Sequence, residues 1–198
     1  MGDLRKEWEI FYQCTPVFAD LGDFGTFTHV DISFTDGCFA PQARGIFSGP
    51  DAFELDIGNF IVYARPLWEG GPYFQELRGQ WLPYYGETLR RQRLQVAIKY
   101  ARNNLDHVSL YVDRGLYFQA HKRLYLSVQD FLFGLFVAQR CYPVAYDKWI
   151  HDQFINILDL PDLYRRLVAL FEIGRLESDE LAEKAQVLGA MMDEYLRP

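Results

Sequence analysis

The sequence predicts an α+β protein, with a small mixed or antiparallel β region followed by an antiparallel α-helical bundle. Three observations point there. Residues 27–34 (FTHVDISF) alternate in polarity and run into Thr35-Asp36-Gly37, and Asp-Gly is the strongest short hairpin signal. Beyond residue 71, apolar residues recur in steps of three and four over several long stretches, the period of helices with one face packed inward. Hydrophobic residues make up 49% of 198, enough for a sizeable core. The boundary falls near residue 70, giving a β-containing region over 1–70 and a helical bundle over 71–198.

In order along the chain, residues 5–13 (RKEWEIFYQ) lean to a strand, because Trp8, Ile10 and Tyr12 alternate with Glu9, Phe11 and Gln13. Residues 14–28, with Pro16, Gly22 and Gly25, read as loop. In the strand over 27–34, Thr28, Val30, Ile32 and Phe34 form the core side, so His29, Asp31 and Ser33 project together from the other. The return strand covers Cys38–Ala40 and continues towards Phe47. Residues 53–63 are apolar enough for either a strand or a helix, and period alone does not separate the two.

Residues 66–72 (PLWEGGP) form a loop, and Pro72 suits the first turn of a helix with Tyr73, Phe74, Leu77 and Trp81 on one face, closed by Pro83. The next helix runs from about Glu87 to Leu105, with Leu94, Ile98, Ala101 and Leu105 inside; residues 106–113 extend it or join it onward to Gly115. The central helix carries Leu116, Ala120, Leu124, Val128, Phe131, Leu135 and Ala138 on its inner face. It breaks at Cys141-Tyr142-Pro143, since proline has no N–H and disfavours a helical residue before it. Trp149, Ile150, Phe154, Ile157 and Leu158 mark a further helix. Pro161 opens another with Leu163, Leu167 and Leu170 inside, and Ser178 caps the last, whose stripe is Leu181, Ala185, Leu188, Met192 and Tyr195.

Composition narrows the function. A net charge of −7, with Arg90-Arg91-Gln92-Arg93 as the densest basic run, argues against a nucleic-acid partner. No apolar run is long enough for a membrane span, and the N-terminal MGDLRKEWEIFYQ lacks the apolar core of a signal peptide. Cys14, Cys38 and Cys141 are odd in number and far apart, as suits free thiols in a reducing cytoplasm.

The run Phe131 to Phe136, then Tyr142-Pro143, Asp147-Lys148-Trp149-Ile150 and Leu160-Pro161, resembles the end of the long bundle helix in nucleotidyltransferases of the antibiotic-modifying kind. Ala64 to Glu69, Phe74 to Arg78 and Tyr84-Tyr85 resemble the passage from catalytic domain into bundle in the same superfamily. The resemblance covers about residues 28 to 170. It implies transfer of a nucleotidyl group to a small hydroxyl- or amine-bearing substrate, with Mg²⁺ and an NTP. Asp31 fits the family's later carboxylate. The Gly-Ser loop with its D-x-D pair has no counterpart upstream, where DLGDFG offers only D-x-x-D. Two close carboxylates are needed to hold ions that bridge phosphates, so the chain reads as an incomplete or inactive transferase as it stands.

The residues themselves leave alternatives open. Asp31 is a metal ligand and catalytic base, or a polar residue on a strand's outer face; His29 shares that face. Tyr142, Tyr146, Lys148 and Trp149, with Arg140 and Asp147, form either a substrate-binding wall or a packed corner. Glu69, Glu76 and Arg78 flank the junction, where ligand clefts are common. The alternative function is a non-catalytic helical module binding a small molecule or a protein, and a third reading is a helical interaction module that forms a homodimer.

Overall fold

The computed structural model describes residues 2–18, 32–43, 49–144 and 147–197, apart from the side chain of Lys148. It divides into two compact units, Met1–Cys38 and Phe39–Pro198. Every regular element among the described residues is helical, which corrects the α+β expectation: no strand and no sheet occurs there.

In the first unit, helix α1 spans Gly2–Cys14, where an alternating strand is expected. Leu4, Trp8, Phe11 and Tyr12 also satisfy a helical spacing, and in so short a window two periods fit the same letters. The helix brings Trp8 to 5.5 Å from Phe11 and 6.1 Å from Tyr12 between ring centroids, and Phe18 packs on all three. None of its residues is buried. Residues 27–31 of the predicted strand lie outside the described residues, and 32–34 are not a strand. The turn chemistry at Asp36 is present: its carboxylate accepts from the Cys38 N–H (2.9 Å), and Gly37 sits at φ 74°. The turn is local chemistry and needs no ladder, and the described residues on either side of it are not strands.

The second unit opens with α2 (Ala52–Asp56), which runs directly into a π-helical turn, Ile57–Val62. This settles residues 53–62 as helix, with Phe53, Ile57 and Ile61 buried. Helix α3 (Tyr73–Trp81) follows the 66–72 loop. Helices α4 (Glu87–Val112) and α5 (Tyr117–Ala138) form the spine; at 1.5 Å per residue, α4 alone is about 39 Å long. They pack as a hairpin, with Ala97, Ala101 and Val108 against Leu124, Val128 and Phe131, all fully or almost fully buried.

The C-terminal ends of α4 and α5 use one closing motif. At the hairpin, Leu116 N–H reaches Tyr111 O, Gly115 N–H reaches Val112 O, and Gly115 adopts φ 67°. At the far end, Cys141 N–H reaches Phe136 O and Arg140 N–H reaches Val137 O, with Arg140 at φ 59°. A non-glycine residue in that left-handed conformation costs roughly 1–2 kcal/mol; the Arg140 guanidinium meets Glu87 at 2.8 Å. The helix therefore ends just ahead of the Cys141-Tyr142-Pro143 break.

After a 3₁₀ turn (Asp147–Trp149), α6 (Ile150–Asp152) passes into a second π turn, Gln153–Ile157. Helix α7 (Pro161–Leu170) buries Leu163, Leu167 and Leu170. Helix α8 (Glu180–Tyr195) starts two residues after the predicted cap, Ser178, whose hydroxyl still accepts from the Glu180 N–H at 3.3 Å. It packs against both spine helices. Gly134 of α5 makes room there: a Cβ on it would lie 2.9 Å from the Leu196 side chain. No described helix is long and apolar enough to cross a membrane.

Candidate functional site

Two places in the second unit break the ordinary sorting of polar and apolar side chains. One is a buried corner of charges and phenols. The other is an open aromatic groove.

The corner begins with a capping box on α2. Asp51 accepts from the Glu54 N–H (2.9 Å) and its own N–H donates to the Glu54 carboxylate (2.9 Å). Glu54 is nonetheless fully buried, as is Arg93 of α4, at 3% exposure. Arg93 donates to the Asp51 carboxylate and to the Gln42 carbonyl (2.7 Å), and its Nε lies 3.0 Å from Glu54 Oε1 as an ion pair without hydrogen-bond alignment. The Tyr85 hydroxyl donates to the same Glu54 oxygen at 2.7 Å. Around this pair stand Phe53, Trp81, Tyr84 and Tyr142, with the Tyr84 and Tyr142 rings 4.6 Å apart. The Tyr84 and Tyr142 hydroxyls and the Trp81 indole N–H find no hydrogen-bond partner among the described residues. Burial, reinforced by the Glu54 charge, pushes both phenols well above their ordinary range, so they stay protonated.

A second polar cluster fastens the same segment from below. Asp130, fully buried in α5, accepts from Asn104 Nδ2 (3.0 Å) and from the Gly49 N–H (3.1 Å), and Arg123 donates to Asn104 Oδ1 (2.8 Å). The backbone at Gly49 is thus held by α5 two residues before Asp51 is held by α4. On the other side of the π turn, Gly58 lies so close to the Pro143 carbonyl that a Cβ there would meet it at 2.1 Å. The Tyr63 hydroxyl donates to the Tyr142 carbonyl at 2.9 Å.

Of the sequence-predicted wall around residues 140–149, Tyr142 belongs to this packed corner. Tyr142 is buried at 1% exposure, while Trp149 is half exposed, so the two do not share one accessible surface. Asp147 is held to α5 by Gln129 (2.9 and 2.8 Å); burial and the hydrogen bond to Asp147 push the Tyr125 phenol up to about 12. Glu87 receives Arg90 and Arg140, and those hydrogen bonds, Arg90's first, hold its carboxyl down at about 2. Asp31, His29 and Tyr146 lie outside the described residues, as does the Lys148 side chain.

The groove faces solvent. Pro66, Trp68, Glu69, Gly70, Gly71, Tyr73 and Phe74 line an open concavity of about 520 Å³. Leu67 is fully exposed and Trp68 84% exposed; among the unit's other described aromatic residues Phe118 of α5 comes next, at 79%. The loop is nevertheless shaped. The Trp68 indole lies over the backbone of Gly70, where a Cβ would meet it at 2.6 Å. Gln75, in the first turn of α3, donates to Glu69 at 3.4 Å. Arg78 stacks over the Phe74 ring at 5.8 Å.

Sequence reasoning names Glu69 and Arg78 near this junction and misses the charges of the corner. A signal for them exists. Arg93 and Asn104 fall on the inner register of α4 with Ala97, Ala101 and Val108, and a polar residue on a core register must find an internal partner. Asp51-x-x-Glu54 ahead of an apolar run is a capping-box spacing. Comparison with known proteins finds no matching family model, no matching curated protein and no matching solved structure.

Proposed function

We propose that the chain is a non-catalytic helical module that binds a protein partner through the 66–74 groove. One observation carries this reading: Leu67 and Trp68, consecutive in the chain, are both presented to solvent, and Trp68 lines an open aromatic concavity. Tryptophan is among the residues that dominate protein interfaces, and an exposed apolar patch on an ordered element stabilises nothing until it is covered. The transferase reading is not pursued, because the β region it expects is not found among the described residues.

Selection of displayed random peptides against the immobilised chain, with Trp68→Ala as the counter-target, tests the proposal. Enrichment of a shared motif whose binding needs Trp68, in a variant whose helical circular dichroism is unchanged, supports it. No enrichment, or enrichment that survives the substitution, overturns it.

A further inference from the structure

We infer that the groove's occupant is a basic side chain, an arginine or lysine carried on a segment of the partner protein. The inference rests on the binding-module reading and adds the chemistry of the ligand. Three aromatic residues (Trp68, Tyr73 and Phe74) and one carboxylate (Glu69) line the concavity, and no lysine or arginine does. Aromatic faces carry negative potential, and a cation over tryptophan or tyrosine is attracted to it. Glu69 adds a full charge. Its one described hydrogen bond comes from the neutral Gln75, and no cation pairs with it among the described residues. A cation would be the counter-charge that this carboxylate lacks.

The chain's own Arg78 shows the contact working locally, with its guanidinium 5.8 Å from the centre of the Phe74 ring. A net charge of −7 adds long-range attraction for a basic partner. The groove is wide and open at about 520 Å³, a shape that admits a side chain arriving on a peptide and does not enclose a small free ammonium ion. The far edge of the Trp68 ring lies against Gly70, where a Cβ would meet it at 2.6 Å, so the ring closes one side of the concavity.

The test follows the Trp68 indole N–H resonance, assigned with Trp68→Phe, while N-acetyl-arginine-methylamide is added to the ¹⁵N-labelled chain. The uncharged citrulline analogue is the control. The expected result is a saturable shift with the arginine compound and none with citrulline. Glu69→Gln should weaken binding about threefold to fivefold, and raising the salt should weaken it further. Equal shifts with both compounds, or tighter binding of tetramethylammonium chloride than of the arginine compound, would overturn the basic-side-chain inference. An absence of any shift, alongside Trp68-dependent peptides from the selection above, overturns this inference and leaves the binding module standing.

Discussion

At the corner, charged side chains are buried; at the groove, aromatic side chains are exposed. The two regions invert the usual sorting in opposite directions, and what answers each inversion differs. Glu54 and Arg93 face each other, Asp51 and Tyr85 complete the set, and Asp130 secures the adjoining backbone at Gly49. Every charge there has an internal partner, so the corner explains itself as a fastening of α2 onto α4 and α5. Leu67 and Trp68 have no such internal answer. Burial of polar groups with partners marks structure, and the display of apolar groups at the groove is what the proposed binding module rests on.

The comparison breaks most readily at Arg93. Arg93→Met should leave Glu54 buried without its ion-pair partner and cost about 3–5 kcal/mol, read as a lowered urea midpoint at neutral pH. A loss under 1 kcal/mol would mean that the corner is wetter than its geometry implies. Gly58→Ala comes next, at about 1–3 kcal/mol, because its new Cβ would sit 2.1 Å from the backbone oxygen of Pro143 and the π turn would have to move.

The rim of the corner supplies a pH signature. The folded-state pKa of Glu87 is depressed to about 2, so its contribution is present above the ordinary carboxylate range and is lost as pH falls towards 2. Glu87→Gln should therefore flatten the decline of the urea midpoint between about pH 4.5 and pH 2. A slope identical to wild type in that window would detach Glu87 from Arg90 and Arg140 in solution.

The smallest stability effect belongs to the groove. Trp68→Ala should shift the unfolding free energy by no more than about 0.5 kcal/mol, since an 84% exposed side chain has little packing to lose. The same change should remove peptide binding. A substantial loss of stability would move Trp68 from the class of displayed residues into that of structural ones, and the contrast between the two regions would fail.

Some of this was readable from the residues. Helices α7 and α8 bury the predicted leucines, and Pro161 starts α7 as its missing N–H allows. Of the corner, Tyr142 was named as part of a wall; its burial against Phe53 and Tyr84 comes from elements more than fifty residues away, beyond any local pattern. Glu69 was legible as a junction residue, but that it shares a concavity with Trp68 depends on how the indole settles over Gly70.

The sequence by itself determined the two spine helices and α8, because a 3.6-residue period repeated over four or more turns has no competing interpretation. Tertiary structure decided the segment that follows Asp51. Residues 5–13 and 53–63 are short enough to satisfy two periods at once. The second is held as helix by Asp51 on Arg93, 42 residues on, beside the Gly49 contact with Asp130, 81 residues on. Local propensity is a sum over neighbours in the chain, whereas those contacts are with neighbours in space, and only the fold brings them together.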